Sequence, residues 1–199
     1  MKKGLAFVFS FGVIASLTAC SPVPERVMQK YVLSPGRYAT IDARPRTHKT
    51  LLINNMVANE AYSTNKMIYL NFPFSLKAFS RNEWVSPPAQ MLQSMVGDRV
   101  LSRHYFKAVV FSPFVGNTDY ILSLRLLMLQ QEFLQPLSQE HLALRAVIIN
   151  GHTNQVVAER VFQSILPAPG NNPYGGVLAA NKMANEISGQ VARFVVSSV

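Results

Sequence analysis

One cysteine, Cys20, supplies the only thiol in the 199 residues, and it stands directly behind Leu17-Thr18-Ala19. A lone thiol builds no intramolecular disulfide, no zinc knuckle and no Cys-x-x-Cys redox pair. Its neighbours point to a different chemistry. Lys2 and Lys3 precede an apolar run, Gly4 to Ser16, which ends in small residues. This is the layout of a secretory signal with a cleavage site at its end. The run is shorter than the about 20 apolar residues that a membrane-spanning helix needs. The other reactive side chains are dispersed. His48, His104, His141 and His152 have no partner at metal-ligand spacing. Glu140 and His141, adjacent on an expected strand, point to opposite faces. The ten acidic residues are isolated from one another, which gives paired-carboxylate catalysis no local support. There is no G-x-S-x-G elbow, P-loop or H-E-x-x-H motif. Gly175-Gly176 could cradle an anion at a helix N-terminus, but a loop-to-helix turn explains the pair as well. The expectation is therefore no catalytic residue, no metal, no cofactor and no enzymatic activity.

Leu17-Thr18-Ala19-Cys20 resembles the lipobox of bacterial lipoproteins. The resemblance implies that Leu17, Thr18 and Ala19 are read by the lipoprotein signal peptidase. Cleavage would fall after Ala19, and Cys20 would carry acyl chains, palmitate among them, on its sulfur and amino group. Several chains anchor stably because each buried methylene contributes about 0.8 kcal/mol. By the sorting rule of enteric lipoproteins, Ser21 directs the protein to the outer membrane. It would then be lipid-anchored in the inner leaflet and face the periplasm. The chain divides into residues 1–19 as signal peptide, 20–30 as lipidated cysteine and tether, and 31–199 as one folded domain.

Composition agrees with export and a packed core. Hydrophobic residues make up 49% of the chain and the net charge is +9. Arg26, Lys30, Arg37, Arg44, Arg46 and Lys49 cluster early, opposed there only by Glu25 and Asp42. Basic residues just after a lipid anchor can lie against anionic headgroups, and a solvated linker with scattered charge fits equally. Nucleic acid is not an expected partner of an exported lipoprotein.

The elements that position these residues follow from periodicity. Ser21 to Lys30, with Pro22 and Pro24, reads as an extended tether. Tyr31 to Pro35 is short and β-prone, and Arg37 to Thr50 reads as loop. Leu51–Val57 and Met67–Leu70 read as strands, while Pro73 makes Asn71–Phe79 an edge or a loop. Ser86 as N-cap and Pro87 at the first helical position open a helix to about His104. Its stripe is Leu92, Met95, Val96 and Val100. Lys107–Phe111 is a short strand. Alternation then predicts long strands over Asp119–Phe133, with Tyr120, Leu122, Leu124, Leu126 and Met128 on one face, over Glu140–Ile149, and over Gln155–Leu166. Asn150-Gly151 begins a hairpin connection. A last helix, Tyr174–Val196, carries Val177, Ala180, Ala184, Ile187, Val191, Phe194 and Val195 as one buried stripe. The fold class is α+β: a mainly antiparallel sheet with two long helices packed on one face, in a single domain.

This ordered set resembles the ABC-type transport auxiliary lipoproteins (PqiC-like, MCE-associated). The matching features are the lipobox, Tyr31-x-Leu33-x-Pro35, Ile68-Tyr69 and Trp84 followed by Pro87-Pro88. They continue with Phe106-Lys107-Ala108-Val109, Glu159-Arg160-Val161-Phe162 and Ala179-Ala180-Asn181, over nearly all of residues 31–199. The resemblance implies a non-enzymatic, membrane-tethered accessory of an ABC permease and ATPase with an MCE-domain protein, moving phospholipids or other lipids across the envelope. A lipid contact and a homo-oligomer stay open. An envelope-assembly lipoprotein acting on outer-membrane or cell-wall machinery is the alternative. Trp84 is a candidate partner contact, although a lone Trp before Pro-Pro also suits a core plug. Phe72, Phe74 and Phe79 could form an apolar patch for a partner or an acyl chain, or could close a sheet edge.

Overall fold

A computed structural model describes residues 27–36 and 44–199. Its spine is a single long strand. β7 (Tyr120–Glu132) is leucine-rich, and β8 (Gln139–Asn150) pairs with it antiparallel along its length. β9 (Val156–Pro167) adds antiparallel to β8. The opposite edge of β7 is shared out among three short parallel strands. β2 (Thr50–Ile53) takes its start, β3 (Val57–Ala58) its middle and β4 (Lys66–Leu70) its end. Flanking these are β6 (Ala108–Phe111), parallel to β2, and β5 (Leu76–Trp84), antiparallel to β4. β1 (Gln29–Tyr31) closes that side, parallel to β5.

The α+β architecture with one sheet and two helices agrees with the periodicity, and the sheet is mixed. Its long hairpins are antiparallel because their turns are short. The parallel pairs form where the chain leaves the sheet through a loop or helix before returning. Alternation on β7 breaks once. A register shift between Leu126 and Met128 adds a residue to β7, so the buried phase passes from Leu122, Leu124 and Leu126 to Leu129. Met128, expected on the core face, is therefore only partly buried. Asn71–Phe79 is corrected in part. Pro73 lies in the turn, and from Leu76 the chain is strand β5. The expected tether, 20–30, ends early, because Gln29 and Lys30 already pair with Asn82 and Glu83.

Helix α1 (Pro88–Leu101) starts one residue later than expected. Pro87 is its N-cap, Pro88 occupies the first turn, and Ser86 makes no capping bond. The helix ends at Leu101, since His104 adopts the left-handed conformation (φ 48°) that terminates the turn. Helix α2 (Pro173–Ser197) is capped by Asn172, whose Oδ1 accepts from the Gly175 amide at 2.8 Å. Every member of its expected stripe, from Val177 to Val195, is buried. The helices pack on each other and on the β7–β8 face, around Leu124, Leu144, Ile148, Leu92, Met95 and Ile187. Each such leucine or isoleucine contributes about 1.5–3 kcal/mol on burial. No helix among the described residues is long and apolar enough to cross a membrane.

Candidate docking surface

Cys20, with Leu17, Thr18, Ala19 and Ser21, lies outside the described residues. What the structure does show is how the chain beyond the anchor is fastened. Leu33 is buried, and the residues around it run along α2. Asn181 and Asn185, one helical turn apart, grip that segment. Asn181 Oδ1 accepts from the Ser34 amide at 2.8 Å, and its Nδ2 donates to the Val32 carbonyl at 3.1 Å. Asn185 Oδ1 accepts from the Gly36 amide at 2.7 Å, and its Nδ2 donates to the Ser34 carbonyl at 3.1 Å. The pair imitates a strand edge with side-chain amides, each supplying one donor and one acceptor. Neither residue belongs to the apolar stripe of α2, and nothing in the spacing pointed to this grip.

The four aromatic candidates separate. Trp84 is not a contact surface: only 3% of it is accessible, at the end of β5 inside the core. Its strand register faces it inward, and β1 covers it through the Tyr31 pairing. Phe79 is partly buried. Its ring stacks on Tyr69 at 4.4 Å and meets Phe133 edge-on at 6.3 Å. That cluster stiffens the base of the β4–β5 hairpin, in the geometry aromatic pairs favour. Phe72 and Phe74 sit at the tip of the same hairpin, with Phe74 completely exposed. Phe74 also has φ 63°, a conformation that costs an L-residue roughly 1–2 kcal/mol. The strain at Phe74 is thus offset by no burial of its ring.

Two polar clusters hold the acids Glu140, which is buried, and Asp119, which is half-buried. Glu140 lies on the helix-facing side of β8, opposite Gln131 of β7 and beneath the first turn of α2. Burial pushes its carboxyl well above the usual range. Gln131 Nε2 donates to Ser138 Oγ at 2.9 Å and to the Asn172 carbonyl at 3.1 Å, which leaves Gln131 Oε1 buried without a donor among the described residues. A protonated Glu140 is a donor beside that acceptor. Gly176 is required here by close approach. A Cβ on it would stand 2.5 Å from Gln131 Oε1 and 2.9 Å from Glu140 Oε2. The Gly175-Gly176 pair therefore packs the helix start onto the sheet.

The second cluster joins two strand starts. Asp119 accepts from the Thr50 amide at 2.8 Å and from Thr50 Oγ1 at 2.9 Å. Those bonds, with smaller help from His152 and Lys49, hold its carboxyl well below the usual range, at about 2. Neither cluster resembles a catalytic constellation, and no group of three metal-ligating side chains converges among the described residues. His141 lies 3.5 Å from Glu132, and His152 lies 3.5 Å from Asp119, each as a pair only.

The family model for the ABC-type transport auxiliary lipoprotein component matches residues 31–192. Among solved structures, the chain is similar to protein XCC0632 from Xanthomonas campestris, with a TM-score of 0.75 and 18% identity over 85% of this chain and 96% of that one. An uncharacterized protein aligns with a TM-score of 0.65 and 14% identity, covering 85% of this chain and 99% of its own. At those identities the likeness speaks for the fold alone. No curated protein sequence matches the chain.

Proposed function

The chain belongs to the ABC-type transport auxiliary lipoprotein family, and on that premise we propose that it is the membrane-anchored, non-enzymatic docking component of an ABC/MCE-type lipid transport system. In this reading Cys20 carries the lipid anchor in the outer membrane, and the domain faces the periplasm. The hairpin tip at Phe72 and Phe74 engages the MCE-domain protein, which is in turn served by the ABC permease and ATPase. The observation that carries the reading is the family match over residues 31–192. Support for the surface comes from Phe74, a fully exposed aromatic ring held in a strained turn above a rigid aromatic base.

The test is capture from envelope membranes in mild detergent with the full-length, C-terminally tagged chain. The expected result is recovery of an MCE-domain protein with an ABC permease and ATPase, lost when Phe72→Asp and Phe74→Asp are combined. Recovery of cell-wall synthases or outer-membrane assembly factors without those subunits would instead identify an envelope-assembly lipoprotein. Undiminished capture by the doubly substituted chain would move the docking surface elsewhere.

A further inference from the structure

A basic concave surface lies at the opposite end of β7 from the aromatic tip. There the C-terminal ends of α1 and α2 meet the segment that precedes β2. A pocket of about 280 Å³ is lined by Arg46, Arg103 and Arg193, with Ser102, Ser197 and Tyr105. Beside it lies a cavity of about 530 Å³, lined by the apolar Val100, Leu101, Phe106 and Val109, with Asp98 and Lys107 also on its wall. Ser102 and Tyr105 line both, so the two spaces adjoin.

The arginine side is built, not incidental. The Arg46 amide donates to the His104 and Tyr105 carbonyls at 3.2 and 3.1 Å, and the Thr47 amide donates to Tyr105 at 3.0 Å. These bonds lash the 44–47 segment across the end of α1 and bring Arg46 up to Arg103 and Arg193. Among the described residues, none of these three arginines pairs with a carboxylate within 4.0 Å. A helix C-terminus attracts cations with about half an elementary charge. Two such ends offset about one of the three arginine charges. Of the nearby side-chain acids, Asp98 lines the larger cavity, and Glu186 lines a neighbouring hollow together with Arg103 and Arg193. Tyr105 donates its hydroxyl to the Val199 main-chain oxygen at 3.0 Å.

We propose that these two spaces form one site for an anionic phospholipid. The phosphate sits among Arg46, Arg103 and Arg193, and an acyl chain lies in the cavity floored by Phe106. Guanidinium forks match phosphate oxygens geometrically as well as by charge. The cavity falls within the about 300–1,000 Å³ of sites that enclose a small ligand. A phosphate alone has no use for the apolar cavity, and an uncharged lipid has none for the arginines. The assignment stands on this geometry and goes beyond the docking reading, whose failure would leave it intact.

The test uses the full chain in a non-ionic detergent, titrated with pyrene-labelled phosphatidylglycerol. Unlabelled phosphatidylglycerol should displace the probe. Diacylglycerol with the same chains and inorganic phosphate should each displace it at least about tenfold less well, as expected when a charged hydrogen-bonded contact or the chain contact is missing. Arg46→Ala and Arg193→Ala should each weaken probe binding about tenfold with an unchanged melting curve. Ala108→Trp, which fills the mouth of the cavity from an exposed position, should weaken lipid binding while leaving the arginines in place. Equal displacement by inorganic phosphate would reduce the site to an anion pocket and overturn the assignment. So would equal displacement by diacylglycerol, or binding that is indifferent to both arginine substitutions.

Discussion

Glu140→Gln should make the protein more stable at neutral pH, against the usual outcome for a buried polar substitution. The carboxyl is completely enclosed between β8, Gln131 and the first turn of α2, and burial raises it well above the usual range. Below the pH at which an exposed glutamate titrates, folded and unfolded chains hold the same proton, and the group contributes nothing to the pH slope. Above it the unfolded chain releases the proton and the folded chain keeps it. Stability then falls by about 1.4 kcal/mol per pH unit until the folded carboxyl itself ionises. The amide variant has the same shape and no proton to lose. Its Nε2 can donate to Gln131 Oε1, the buried acceptor that has no other donor among the described residues. Urea denaturation followed by circular dichroism, at half-unit steps from pH 4 to 8, measures both curves. The two should nearly coincide at pH 4 and diverge upward, with the variant ahead by more than about 1 kcal/mol at pH 7. Parallel curves, or a wild type that gains on the variant as pH rises, would refute the reasoning. The carboxylate would then be ionised in the fold and stabilised by the helix N-terminus.

Other substitutions test the remaining parts. Asp119→Asn removes the acceptor for the Thr50 amide and hydroxyl, and should cost about 1–2 kcal/mol at pH 7 in a urea titration. Because the folded carboxyl titrates at about 2, that cost should shrink as pH falls through the ordinary aspartate range toward 2, where the unfolded chain is protonated and the folded carboxyl begins to be. Gly176→Ala places a methyl 2.5 Å from Gln131 Oε1 in a buried contact, and should lower stability by about 1–3 kcal/mol, read as a reduced melting temperature. Phe74→Gly relieves the left-handed strain and should stabilise the fold by up to about 1 kcal/mol while reducing capture of the transport partners. Combining Asn181→Ala with Asn185→Ala should free residues 32–36 from α2, and appears as faster limited proteolysis ahead of β2 with little change in the global melt.

The sheet and both helices were legible in the sequence because one face of each element is apolar at a fixed period. Leu142, Leu144, Ala146 and Ile148 alternate on β8 and are all buried, and the α2 stripe is buried throughout. What periodicity misses is whatever breaks or lacks a period. The β7 bulge adds one residue without changing composition, so Met128 and Leu129 exchange roles. β5 exposes most of both faces, as its polar sequence requires, and becomes a strand through pairing with β4 and β1. Trp84 illustrates a different limit. A tryptophan before Pro-Pro fits an interaction surface or a core plug equally well, and only the pairing of Tyr31 beside it decides for the core.

The same reasoning explains why the two proposed surfaces were the least legible. Phe72 and Phe74 stood out by type, yet the turn that leaves Phe74 exposed and Phe79 stacked depends on β5 being a strand. Arg46, Arg103 and Arg193 are separated by most of the chain, and no spacing in the sequence links them. Folding brings them to one pocket because two helices end at the same side of the sheet and the 44–47 backbone is tied to the loop between them. The consequence for the transport role is spatial. The aromatic tip follows β4, whose last residues pair with Gln131 and Glu132 of β7, whereas the arginine pocket lies by β6 and β2, which pair near Tyr120. At about 3.3 Å per residue, the 13 residues of β7 separate them by about 40 Å. A domain that holds its partner at one end and an anionic lipid at the other must hand lipid along the length of the sheet or bind it only to fix orientation on the bilayer. Capture by the Phe72→Asp, Phe74→Asp chain and lipid binding by the Arg46→Ala chain separate the two. If the handover holds, loss at either end abolishes transport, whereas an orienting site leaves capture and transport intact when the arginines are removed.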